Sequence, residues 1–114
     1  MKVLYIKTNG NITIENITKP LYKDINNLIG GHMEIVKPQG LPRNLCMIID
    51  DEGRLKSKPI NIIGSILFET AKHGQPIVGD IVITGEKYED GECDITGLAD
   101  VEISILIAMF KVIF

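Results

Sequence analysis

The segment from Met47 to Asn61, MIIDDEGRLKSKPIN, constrains the fold more than any other part of the chain. Three apolar residues run straight into an Asp-Asp-Glu-Gly turn. A short basic stretch follows, and then Pro59-Ile60-Asn61. Together with the residues before it, the apolar part predicts a strand over Asn44 to Asp50. Its centre is almost continuously apolar, the pattern of a strand covered on both faces and set near the middle of a sheet. Asp51-Glu52-Gly53 supplies the turn chemistry that ends it.

The remaining elements follow from spacing and turn residues. Lys2 to Lys7 reads as a strand, with Val3 and Tyr5 on one face and Leu4 and Ile6 on the other. Asn9-Gly10 is a hairpin turn signal, and Asn11 to Asn16 alternates cleanly behind it. Thr18-Lys19-Pro20 predicts a helix start. Leu21, Ile25, Leu28 and Ile29 continue it at helical spacing, and Gly30-Gly31 stops it. His32 to Val36 is the next strand, and Pro38 to Pro42 a loop. Asn61 is placed to cap a helix over Ile62 to Lys72 that ends at Gly74. Pro76 to Thr84 reads as a strand in which Gly79 marks a bulge or a close approach. Glu86 to Asp94 reads as a polar, acidic loop, and Asp100 caps a last helix through about Phe110. The expected architecture is a single α+β domain over residues 1–114. Its order is β-β-α-β-β-α-β-α, with a mostly antiparallel five-stranded sheet and two to three helices.

Composition narrows the function classes. A chain of 114 residues with 45% apolar and 24% charged residues folds without disulfides or metal. It has no Trp, three Phe and three Tyr, so its core is aliphatic. A net charge of −3 argues against non-specific nucleic-acid binding, which needs many Lys and Arg. Residues 1–10 lack the apolar run of a secretory signal, and Cys46 and Cys93 lie far apart, so the expected setting is cytoplasmic with reduced thiols. The run Ile103 to Phe114 is too short for a membrane span of about 18 residues. It reads as a buried helix or an association surface. Met109, Phe110, Val112, Ile113 and Phe114 would leave an apolar patch unless covered, and a homodimer is expected.

The familiar catalytic signatures are missing: no phosphate-binding loop, no GxGxxG, no CxxC pair, no HExxH, no GxSxG. Cys46 sits between Leu45 and Met47 and reads as a core thiol. Cys93 lies among Glu92, Asp94 and Asp90, whose charge disfavours a thiolate. His32, His73 and Cys93 share no tight ligand spacing with the loop carboxylates, so no metal is expected. Asp50, Asp51 and Glu52 are adjacent and diverge, which suits a turn better than acid–base work. Gly30-Gly31 is either a helix stop or a backbone approach to a phosphate. Asn61 is either a cap or a reader of a ligand's polar edge, and both only if its amide nitrogen stays free. Arg43, Arg54, Lys56 and Lys58 flank the central strand. They are either a solvated turn or an anion site, in which the two arginines would bind phosphate bidentately.

The segments LIGGHMEIV, MIIDDEGRLKSKPIN and QPIVGDIVITG together resemble a domain-of-unknown-function family, number 3846, found in phages, prophages and conjugative elements. The resemblance rests on the glycine pair Gly30-Gly31, the acidic-Gly turn running on to Asn61, and the Gly-containing strand Ile77 to Gly85. It covers nearly the whole chain, which departs from the pattern in the longer acidic loop Glu86–Asp94 and the apolar tail Lys111–Phe114. It implies a mobile-element setting and a small α+β fold, and it defines no catalytic residues.

The leading expectation is a non-enzymatic counter-defence protein that sequesters a small anionic, nucleotide-derived signal. Gly30, Gly31, Arg43, Arg54, Asn61 and Tyr88 would form the pocket, without a cofactor. This requires the two arginines to converge on one concave site. The alternative is a protein-interaction module that inhibits a host defence enzyme through the acidic loop and the apolar C-terminal surface. A small hydrolase or transferase with an unfamiliar site ranks third, because no nucleophile–base pair can be named.

Overall fold

The computed structural model describes residues 1–113, apart from the side chains of Ala71, His73, Cys93 and Ile113. His73 and Cys93, weighed above as metal ligands, and Phe114 of the apolar tail therefore fall outside the described positions.

Five strands form one continuous sheet in the order β2-β1-β5-β4-β3, and β6 pairs with β5 beside this path. Every pairing is antiparallel. β1 (Lys2–Ile6) and β2 (Ile12–Asn16) make the expected hairpin, with Leu4 opposite Ile14 and Ile6 opposite Ile12. β3 (Met33–Val36) forms one edge. β4 (Leu45–Asp50) lies inside it, as its apolar run requires. β5 (Ile81–Glu89) is the sheet's axis, pairing with β4 on one side and with β1 and then β6 (Glu92–Thr96) on the other.

Alternation in the inner strands explains the layers. Leu4, Ile6, Met47, Ile81 and Ile83 face α2 (Ile62–Leu67) and α4 (Asp100–Ile113). Val3, Tyr5, Ile48 and Val82 face α1 (Leu21–Ile29). Both sets are buried, so the sheet is the middle layer of three. α1 ends as its sequence dictates: Gly30 adopts the left-handed conformation and its N–H closes on Asn26 O.

The α+β, mostly antiparallel architecture is as expected, with one strand more. The acidic segment 86–94 is not a loop. β5 runs on to Glu89, turns at Asp90 (φ 51) and Gly91 (φ 78), and returns as β6. Two successive left-handed residues make a tight hairpin turn, for which Asp-Gly is a strong signal that its acidic surroundings obscured. The helix expected over Ile62–Lys72 is split, because Glu69 takes a positive φ of 56 between α2 and a short α3 (Thr70–His73). The strand expected from Pro76 begins only at Ile81. Before it, Gly79 turns the chain with φ 80, and Val78 makes a lone bridge to Ile60. α4 runs beyond Phe110 to Ile113. The apolar tail is also not a single exposed patch: Phe110 is buried, Met109 half-buried and Val112 88% exposed. Among the described residues no helix is long and apolar enough to cross a membrane.

Candidate functional site

The C-terminal end of β4 holds a cluster of ion pairs and hydrogen bonds around one buried carboxylate. Asp50 projects to the α1 face with its side chain fully buried. Its Oδ1 accepts from Glu52 N at 3.0 Å. Its Oδ2 meets Lys58 Nζ at 2.6 Å and Lys56 Nζ at 2.8 Å. Lys58 Nζ also donates to Ile29 O (2.7 Å) and Gly30 O (3.2 Å), and Lys56 Nζ to Gly30 O (3.3 Å). The two ammonium groups thus tie the turn after β4 to the orphan carbonyls at the C-terminus of α1, where positive charge is favoured. Gly31 makes the approach feasible, since a Cβ there would lie 2.3 Å from the Asp50 carboxyl. Burial alone would raise the Asp50 pKa. The hydrogen bonds from Lys56, Lys58 and the Glu52 amide outweigh it and hold the carboxyl well below the usual range. The hydrogen bond to Asp50 in turn raises the Lys56 pKa. This cluster is an anchor with its donors and acceptors engaged in the fold.

The same turn sends Arg54 to the other side of the sheet. Val36, Ile49, Phe68 and Ile77 there line a cleft of about 280 Å³ with Arg54, Glu34, Asp51 and Gln75 at its polar margin. Arg54 Nη2 donates to Pro76 O at 3.3 Å. Among the described residues no carboxylate lies within ion-pair distance of its guanidinium. The cleft thus combines an exposed planar cation, two carboxylates and an apolar wall.

The six residues expected to share a pocket do not share one. Gly30 and Gly31 lie on the α1 face beside the Asp50 anchor. Arg54 is in the cleft on the opposite face. Asn61 is 1% exposed, and its polar atoms are committed. Its Oδ1 caps α2 through Gly64 N, while Nδ2 donates to Ile6 O and Gly79 O. The amide nitrogen is therefore not free to read a ligand. Arg43 and Tyr88 are exposed at the other end of the sheet, where Asn44 O receives Glu86 N. Arg43 precedes β4 and Arg54 follows it, so a strand about 17 Å long separates their attachment points. The expected convergence of the two arginines is corrected accordingly. What sequence reasoning missed is the contribution of Glu34, Phe68 and Gln75, which come from β3, from the break after α2 and from the segment before β5. Only the exposed face of the β3 alternation hinted at Glu34.

A second concavity, broad and shallow at about 880 Å³, lies on the α1 side between α1 and the β5–β6 hairpin. Its surface includes Tyr22, Met33, Ile35, Lys87, Glu89 and Asp94. Cys46 is a core thiol, its Sγ 3.0 Å from Thr84 Oγ1, and burial pushes its pKa up against that contact. Among the described residues no three His, Cys, Asp or Glu side chains are grouped as a metal site.

The fold defines the class, a small α+β domain built on a mostly antiparallel six-stranded sheet. The chain belongs to the family described as Domain of unknown function (DUF3846), which it matches over residues 1–111. No match was found among curated proteins or among solved structures.

Proposed function

We propose that the protein is a non-enzymatic binder encoded by a phage or another mobile element, which holds a small nucleotide-derived molecule in the Arg54 cleft and withholds it from host defence. The observation that carries this reading is the Arg54 guanidinium, lacking a carboxylate partner among the described residues, at the rim of an apolar-walled cleft. Its planar fork suits a phosphate. The Glu34 and Asp51 carboxylates accept from ribose hydroxyls or a base amino group, and Phe68 offers apolar area to the base. The cleft's volume lies at the small end for ligand sites, which favours a mononucleotide-sized group over a dinucleotide. The mobile-element setting rests on the family resemblance of the three segments quoted above.

Sequestration requires submicromolar affinity, more than about 8 kcal/mol. A nucleotide present at 100 times its Kd adds about 2.7 kcal/mol to stability. For a domain of this size that raises Tm by roughly 10 °C. Thermal-shift screening of mononucleotides should therefore show a shift that Arg54→Ala removes. No shift with any nucleotide would end this reading.

The broad concavity on the α1 side supports a second reading, a module that inhibits a host enzyme by binding it. Apolar Met33 and Ile35 beside Glu89 and Asp94 are the composition of a protein-contact surface with an acidic rim. One host partner bound stably, and lost when Glu89 and Asp94 are both changed to Lys, would favour it. Deleting the whole 86–94 segment would be a poor test, because that segment is part of the sheet.

A further inference from the structure

α4 carries two apolar faces, and the fold uses one. Ile103, Leu106 and Phe110 are buried against the sheet. On the opposite side Val101, Ile105, Ala108 and Val112 fall within about 60° of arc at spacings of four, three and four residues. Val101 is 64%, Ile105 62% and Val112 88% exposed, and Ala108 is exposed as well. That spacing is the seam of a helix pair, and a solvated helix face would carry polar residues there.

The charges beside the seam specify what covers it. Asp100 and Lys111 lie on the same flank at opposite ends of α4, and Glu102 lies on the other flank. Antiparallel helices set each flank against its own copy. Two copies related by a twofold axis then place Val101 opposite Val112 and Ile105 opposite the small Ala108. Asp100 falls within about 3 Å along the axis of Lys111 of the second copy, twice over. A parallel pair would instead bring Asp100 against Glu102 of the second copy and align the two helix dipoles unfavourably. Asp100 already meets Lys2 Nζ at 2.9 Å, but that pair is exposed and a carboxylate accepts several donors.

We infer that the protein forms a twofold homodimer through antiparallel pairing of α4. Analytical ultracentrifugation at roughly 100 µM, a concentration that populates even a weak interface, should give twice the 12.6 kDa mass of the chain. Ile105→Asp should give the monomer mass with an unchanged circular dichroism spectrum, since the replaced side chain is exposed. In a Cys93→Ser background, Val101→Cys protein mixed with Val112→Cys protein should cross-link on oxidation, and Val112→Cys protein alone should not. A monomeric wild type, a dimer that survives Ile105→Asp, or cross-linking of Val112→Cys with itself would each overturn the inference.

Discussion

At the scale of single residues, Asp50 organises the most. Its carboxylate is buried, carries two ammonium partners and one amide, and connects the turn after β4 to α1. Asp50→Asn removes the charge and leaves Lys58 facing carbonyls alone. The expected loss is about 2–4 kcal/mol, read as a lower urea midpoint with unchanged slope. The pH dependence has a definite sign. The folded pKa lies below the unfolded value of about 3.9. The anchor therefore contributes fully above roughly pH 4, and its contribution is lost as pH falls through the folded value. Acid titration of stability should show a decline below pH 4 that is shallower in Asp50→Asn. Gly31→Ala attacks the same place sterically, because its Cβ meets a carboxyl that two lysines hold in position. A loss of about 2–3 kcal/mol is expected by chemical denaturation. Gly30 and Asn61 were legible in the sequence as a stop and a cap, because both act within one turn of their own helix. The role of Asp50 was not, since the Ile29 and Gly30 carbonyls that share its two lysines come from a separate element.

At the scale of elements, local signals succeeded at the first hairpin and at the stop of α1 and failed where a single residue bends the chain or where charge masked a turn. The Asn9-Gly10 hairpin and the stop of α1 follow their turn residues. Glu69 with positive φ has no sequence signal, and it divides a helix whose apolar spacing reads as continuous. Asp90-Gly91 did carry a signal, but judging residues 86–94 by their charge concealed a hairpin. Asn61 shows how an element is tied to the sheet: one side chain caps α2 and bonds to Ile6 O beside β5 and to Gly79 O before it. Asn61→Ala should cost about 3 kcal/mol, from a lost cap and two carbonyls left without that donor. Asn61→Asp retains the capping oxygen and loses both donations, so urea melts should place it near the alanine variant rather than near wild type.

At the scale of the whole molecule, the sheet separates what the chain brings close in sequence. Lys56 and Lys58 go to one face and Arg54 to the other, although all three lie in one turn. Residue types alone could nominate the arginines as anion ligands. They could not show that β4 holds Arg43 and Arg54 apart, nor that Glu34, Phe68 and Gln75 gather around one of them. The three-layer arrangement was partly legible, because the inner strands are apolar on both faces. The cleft was not, because its walls come from four separate segments.

Calorimetric titration of mononucleotides into wild type, Arg54→Ala and Arg43→Ala decides whether the Arg54 cleft holds a nucleotide. Wild type should bind at least one nucleotide with submicromolar affinity. Arg43→Ala, altered at the far end of β4, should keep that affinity, and Arg54→Ala should lose at least roughly a hundredfold, about 2.7 kcal/mol. Equal affinity in wild type and Arg54→Ala, or no heat with any nucleotide, would contradict it.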